Sequence, residues 1–326
     1  MEKFEVVEKL VTDIDFKFEY GNKEKIYRYL FSYDNNRIIE SMAIVHILDD
    51  TPVDLTVEIS NMYNCVVGCR FCASGSLPES NLFLSAEDYL MQVDKSLKES
   101  NINYKDYPKF YVAFTGIGEP SLVKGEIARG IMLIKDKYPN VQVNIATTGF
   151  DNTCFGYWDK LNLPIRYFQL PYYSCESDKI KYIIQNVPKD YDLRKNIEEA
   201  IKYKNNHKGC RVKVNFVVME GINDSEEDIE KMIRYLEKYK QDIIIKVSYL
   251  NYTEKCRENN LHSPVQNVMN AILNRFQLLG FDCYIFGTEN NTELGCGQLV
   301  QNYICDENNK TINIENDKVK IKKPQL

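Results

Sequence analysis

The sequence has no apolar run approaching the ~18 residues of a membrane-spanning helix, so no membrane span is expected. Its opening stretch, MEKFEVVEKLVTDIDFKFEY, carries acids and no apolar block, and it reads as neither a secretory signal nor an Arg-rich transit peptide. No Lys/Arg block stands outside the closing VKIKKPQL, and the net charge is −6, which argues against broad nonspecific binding to nucleic acid. A local basic groove stays open. Histidine is scarce: His46, His207 and His262 are all there is, and none lies near the cysteine triplet discussed below. Internal repeats and low-complexity tracts are missing too, which removes solenoid and linker architectures.

Cysteine, by contrast, is plentiful, with ten in 326 residues. A chain of this length buries a sizeable core without disulfide staples, so metal binding is favoured over bridges and a reducing, cytoplasmic compartment is expected. Cys154, Cys175, Cys210, Cys256, Cys283 and Cys305 are scattered singly and are expected to pack as small hydrophobes.

Turn signals DNN and DDTP separate alternating stretches around Tyr27–Phe31, Arg37–Leu48 and Leu55–Ser60, which predicts a small antiparallel set of strands after a short amphipathic start. Beyond these the pattern changes. Strands at 109–117, 141–149, 164–173, 211–219, 242–250 and 281–287 alternate with helices at 126–138, 193–204, 225–240 and 263–280. Ser225 is a plausible N-cap and Gly280 a plausible C-cap. Such alternation implies right-handed βαβ units and a parallel sheet, either a partial barrel or a doubly wound sheet. In both, chemistry sits at the carboxyl ends of the strands.

The cysteines that matter lie in NMYNCVVGCRFCASG, where Cys65, Cys69 and Cys72 follow a C-x3-C-x2-C spacing just after a strand. Three thiolates can hold three irons of a cubane cluster and leave the fourth iron open. The competing reading is a zinc knuckle, which wants four ligands, usually in two pairs, and no second CxxC exists. Phe71 suits an aromatic lid over such a cluster. Further on, FTGIGEP ends one strand, and its Glu119 offers a carboxylate beside glycines that permit close backbone approach. ATTG ends the next strand with two hydroxyls, and Asn251 ends the strand of KVSYLN. GCGQL sets Cys296 between glycines, a poor core position and a good one for a working thiol.

In order, NCVVGCRFCASG, FTGIGEP, NIATTG, VVMEGINDS, YLN and GCGQL closely resemble the RlmN/Cfr-type radical S-adenosylmethionine (SAM) methyltransferases, which methylate an adenine carbon of ribosomal RNA. The resemblance runs from about Asp54 to Leu299. It implies an α/β fold with a partial (β/α)6 barrel and a small N-terminal β extension. The expected divisions are 1–53 for the N-terminal segment and extension, 54–305 for the radical SAM core, and 306–326 for a tail. It implies that Cys65, Cys69 and Cys72 ligate a [4Fe–4S] cluster. Gly118, Glu119, Pro120, Thr148 and Asn251 would contact SAM, and Cys296 would be the methyl-carrying cysteine. A low-potential electron donor, flavodoxin or ferredoxin, is implied as partner.

The chain departs from the family at informative places. The family's second cysteine falls on Glu58, a group able to remove a proton if burial raises its pKa but unable to form a disulfide. The family's arginines before the carrier cysteine are replaced by FGTENNTELGC, without a basic residue. Only about 20 residues precede the β extension, where the family has an RNA-binding helical domain. The expected function is methyl or methylene transfer through Cys296 to an unactivated sp2 carbon. The substrate is adenine-type, RNA or nucleotide, or a divergent small molecule. Two alternatives stand beside it: a radical enzyme that acts on its substrate without methylation, with Cys296 as hydrogen donor, and a cluster-bearing sensor without turnover.

Overall fold

The computed structural model describes residues 4–15, 22–34, 37–78, 83–287 and 297–304. Among these, ten strands form one sheet in unbroken chain order. The strands β1 (Glu5–Asp15), β2 (Asn22–Asp34), β3 (Arg37–Leu48) and β4 (Thr51–Ile59) pair antiparallel. From β4 on, every pairing is parallel, through β5 (Phe110–Phe114), β6 (Gln142–Ala146), β7 (Ile165–Tyr172), β8 (Arg211–Val217), β9 (Ile243–Ser248) and β10 (Asp282–Phe286).

Helices fill the crossovers, as parallel pairing requires. α1 (Ala86–Ser100), α2 (Lys124–Lys137) and α3 (Thr153–Lys160) join β4 to β7 in turn. α4 (Ser177–Ile183) and α5 (Leu193–Asn206) precede β8, and α6 (Glu226–Leu236) precedes β9. α7 (Glu254–Glu258) and α8 (Gln266–Leu278) precede β10, and residues 298–304 are helical. The starts are chemically marked. Ser85 caps α1 in a reciprocal capping box with Asp88, and Ser225 accepts the Asp228 N–H at the head of α6, whose first turn holds three acids. Gly280, at φ +76, follows the end of α8 as expected.

Two expectations need correction. Residues 5–15 are not a separate amphipathic start but the first strand, eleven residues long. A register shift between Val6 and Glu8 breaks the period of two that would have revealed it. Cys175 is exposed rather than packed as a small hydrophobe, because it lies in the loop after β7, whereas Cys154, Cys210 and Cys256 are buried as expected and Cys283 is half-buried. Cys305 lies outside the described residues.

The helix-facing side of the sheet is apolar: Val143, Ile145, Phe168, Leu170, Val212, Val214, Phe216 and Ile245 join one core with the helices. Phe168 is its centre, edge-on to Phe155 and Tyr203 and stacked on Trp158. The alternate residues point the other way, and several are polar: Glu58, Asn144, Gln169, Lys213, Asn215 and Lys246. Lys246 on β9 donates to Gln169 Oε1 on β7 at 3.3 Å, reaching over β8. Its charge also acts on Glu58 on β4, five strands away in sheet order. Both interactions accord with a sheet that curls around a lumen. Because the strand order never reverses, this is a partial barrel and not a doubly wound sheet. Among the described residues no helix is long and apolar enough to cross a membrane.

His46 fastens the β extension to the barrel. Its Nδ1 lies 2.5 Å from Asp54 on β4 and its Nε2 3.1 Å from Glu24 on β2. Burial alone would lower its pKa, but the two carboxylates overcome it and carry the group from 6.5 up to about 10. A raised folded-state pKa adds stability that is whole below the unfolded value and is lost as pH climbs through the folded one. His46→Gln should therefore cost most stability below pH 6.5, with the difference from wild type fading toward pH 10. Denaturant unfolding across that window measures it; a difference independent of pH would show that His46 is not charged in the fold.

Candidate functional site

The sequence motifs meet at the carboxyl ends of the parallel strands. The exits of β4 and β5 are sewn together by backbone. Gly116 N–H donates to Ile59 O at 3.1 Å, while the Asn61 and Met62 N–H groups both donate to Ile117 O, at 2.6 and 3.0 Å. A Cβ on Gly116 would stand 2.8 Å from Ile59 O, so only glycine allows this approach. Gly118 sits at φ +108 with no room for a Cβ, which would fall 2.7 Å from Met62 Cβ and Cγ. The GxGEP turn therefore presses directly on the stem of the cysteine loop.

That loop carries three free thiols. Cys65 N–H donates to Ser74 O at 3.1 Å and Cys72 N–H to Cys69 O at 3.0 Å, which closes the loop on itself. Gly68, at φ +67, makes the turn, and its carbonyl accepts the Gln185 N–H at 3.3 Å. Behind the thiols is an apolar wall that includes Val67, Tyr173, Ile183, Ile184, Met219 and Leu250. Burial pushes the Cys69 thiol well above its ordinary pKa, and the charges of Cys72, Cys65 and Glu119 add to it. Cys65 and Cys72 are raised by burial as well. Cys72 also raises Cys65, so the three thiols lie within electrostatic reach of one another, and a cationic group bound there would relieve them.

Glu119 is the hub of the neighbouring turns. Its Oε1 accepts from the Ser121 N–H at 3.0 Å and from Thr147 Oγ1, and its Oε2 accepts from both the N–H and the Oγ1 of Thr148 at 2.9 Å. Thr148 N–H, after β6, thus holds a carboxylate that starts from β5. Tyr191 Oη and Asn196 Nδ2 hold Thr148 O in turn, at 3.0 and 2.9 Å. Pro120 is buried at the first position of the short helical turn that follows. Asn251, after β9, is exposed on the same side of the sheet, and its carbonyl accepts from Cys256 Sγ at 3.5 Å. Phe71 is half-buried, edge-on to Tyr173 at 5.6 Å, and its carbonyl accepts the Thr253 hydroxyl at 2.7 Å. The β9 loop therefore touches the cysteine loop at the residue read as a lid.

Glu58 lies half-buried on the lumen face of β4, paired with Met42 and Ala113. Burial raises its pKa, opposed by a hydrogen bond from Thr115 and by the charges of Lys246, His46 and Arg28. Cys296 lies outside the described residues. Gly297, next in the chain, is described, and it is tightly held. It has φ +83, its N–H donates to Glu40 Oε1, and a Cβ on it would stand 2.7 Å from Ser74 N in the cysteine loop. Gln298 Nε2 reaches Tyr252 O at 3.4 Å.

Two contributors escaped sequence reasoning. Glu40 is buried on β3 and accepts N–H groups from Gly297, Leu299 and Val300; burial raises its pKa to about 7 against their pull and that of Arg28. Nothing local in RIIESMAIVHIL signals a partner 257 residues away. Asn223 ties together the turn of VVMEGINDS, donating to Tyr173 O and Val217 O at 2.9 and 3.0 Å and accepting the Met219 N–H at 2.7 Å. Its place inside a quoted motif was the available signal.

Known proteins can now be set beside this geometry. No protein-family model matches the chain. A probable dual-specificity RNA methyltransferase RlmN of Dictyoglomus turgidum is 25% identical over 224 residues, 66% of this chain and 59% of that protein. Its namesake in Listeria welshimeri is 22% identical over 283 residues, 83% of this chain and 72% of that protein. A crystal structure of a radical SAM methyltransferase from Sphaerobacter thermophilus shares the fold at a TM-score of 0.71 and 18% identity, covering 91% of this chain and 81% of its own. The chain thus resembles RlmN-type methyltransferases in sequence and shares its fold with a radical SAM methyltransferase. It spans less than two thirds of the Dictyoglomus relative's length.

The cofactors that go with this family, a [4Fe–4S] cluster and SAM, fit the residues present. The donor set is three unpaired thiols on one loop against an apolar wall, beside a carboxylate held in place by four hydrogen bonds. A single zinc ion would need its ligands within about 2.3 Å of one point. Among the described residues, no group of three His, Cys, Asp or Glu side chains is placed to hold a single metal ion. Three thiolates suffice for three irons of a cubane.

Two outcomes are expected. Replacing Cys65, Cys69 or Cys72 by Ala, one at a time, should abolish retention of iron and sulfide after anaerobic reconstitution, and retention of a full complement by any one variant would remove that cysteine from the ligand set. Gly118→Ala should cost about 1–3 kcal/mol from backbone strain alone, with more from the Met62 clash, read by urea unfolding; an unchanged midpoint would show that the turn relaxes freely.

Proposed function

We propose that this chain transfers a methyl or methylene group to an unactivated sp2 carbon of an adenine-type substrate, RNA or nucleotide, or of a divergent small molecule, with residues 54–305 as the working core. The observation that carries this reading is the stitching of the three-thiol loop, through Ile59, Asn61 and Met62, to the turn that presents Glu119. Cys65, Cys69 and Cys72 would hold the cluster, and Phe71 would shield it from water. When bound, the cluster and SAM supply one-electron cleavage of a sulfonium, which the protein itself cannot perform.

The chain's own residues bind and orient. The turn of Gly118, Glu119 and Pro120 would receive the cofactor's ammonium, since the Glu119 carboxylate is already aimed and needs no reorganisation on binding. Thr148 and Asn251 would contact the rest of the cofactor from the ends of β6 and β9. Cys296 would carry the methyl group as a thioether. Glu58 sits where the family has its second cysteine. Burial raises its pKa, which suits it to take a proton from the substrate. A carboxylate forms no disulfide, so release from the carrier sulfur would differ from the family's route. A low-potential donor of the flavodoxin or ferredoxin class would supply electrons.

The test is anaerobic incubation with methyl-labelled SAM and dithionite, followed by peptide mass spectrometry. Both S-adenosylhomocysteine and 5′-deoxyadenosine should appear, with label on the Cys296 peptide and none after Cys296→Ala. An unlabelled Cys296 peptide in the active protein defeats the carrier role. 5′-Deoxyadenosine without S-adenosylhomocysteine would instead establish the reading in which the substrate is attacked without methylation.

A further inference from the structure

Inside a closed barrel the lumen is ordinarily filled with branched apolar side chains. Here it is polar and cationic. Lys213 on β8 sets its Nζ 4.1 Å from the centre of the Tyr167 ring and 5.9 Å from that of Tyr284. Lys246 sets its Nζ 3.6 Å from the centre of the Phe286 ring. No carboxylate among the described residues forms an ion pair with Lys213, whose charged neighbours are Arg211 and Arg166. Burial, with these two like charges, holds its pKa below the ordinary lysine value, and a bound anion would offset that cost. Lys246 faces Gln169 and the distant Glu58, and Arg28 and His46 add positive charge on the Glu58 side. Asn144 Oδ1, on the lumen face of β6, is buried without a hydrogen-bond partner, a cost that a ligand N–H would remove. Cations over rings, with an orphaned acceptor on the same face of the sheet, describe a ligand with a compact negative charge at one end and an N–H donor at the other.

We propose that the barrel interior binds a small phosphorylated substrate of nucleoside monophosphate size, its phosphate against Lys213 and Lys246, in place of a nucleic-acid strand laid over the rim. The fate of the ligand rests on the radical SAM reading given above; its binding does not.

The experiment is calorimetric titration of the anaerobically reconstituted full chain, in the presence of SAM and without reductant, using AMP, adenosine and a short RNA stem-loop. AMP should bind at least tenfold more tightly than adenosine and than the stem-loop. Lys213→Met and Lys246→Met should each weaken AMP tenfold or more while leaving adenosine unchanged, Lys213→Arg should restore most of the loss, and the exposed Lys238→Met should have no effect. AMP binding no tighter than adenosine, a stem-loop that binds better than AMP, or AMP affinity indifferent to Lys213→Met would each overturn the proposal. Since no bond is cleaved in this measurement, its failure is distinct from a failure to label Cys296.

Discussion

The whole site depends on how closely the chain leaves β4 and β5. Gly116 and Gly118 have no side chain, and for that reason the two exits can exchange backbone hydrogen bonds with Ile59, Asn61 and Met62. Move these exits apart by one methyl group and the cysteine loop loses its stem. Glu119 would shift with it, and Thr147 and Thr148 hang on that carboxylate. The thiols and the Glu119 turn are thus one rigid unit built from two glycines, not two loops that happen to be near. Preorganised groups of this kind act without reorganising when charge changes.

Much of this was legible in the sequence, for a physical reason. Strands buried on their helix-facing side, such as VQVNIA and RVKVNF, write their own periodicity, and β3 was read with its boundaries intact because the turn signals DNN and DDTP bracket it. The three-cysteine spacing is local, so it survives as text. What stayed hidden was non-local or irregular. The shift between Val6 and Glu8 concealed β1. The short helices α3, α4 and α7 have eight, seven and five residues, too few for a period to show. Glu40 looked like any polar residue of an extension strand, and only the fold brings it to Gly297. The choice between barrel and open sheet turned on a strand order that never reverses and on Lys246 of β9 reaching Gln169 of β7 over β8, which no linear pattern contains.

The antiparallel extension is more than an appendage. Its β3 pairs along the full length of β4, His46 ties it to Asp54, and Ser60 Oγ donates to Glu40 O at 2.6 Å. It therefore buttresses the wall from which the cysteine loop springs. The support comes from long strands, since β1, β2 and β3 have 11, 13 and 12 residues.

The grip of Glu40 on Gly297 also bears on the birth of the molecule. Chains emerge from synthesis N-terminus first, and domains tend to organise in that order. β3 is made early and must keep a buried carboxylate waiting while 257 further positions are added. Only then do Gly297, Leu299 and Val300 arrive with the N–H groups that satisfy it. Gly297 and the helical residues 298–304 are consequently among the last described parts to dock, onto strands that have already been made.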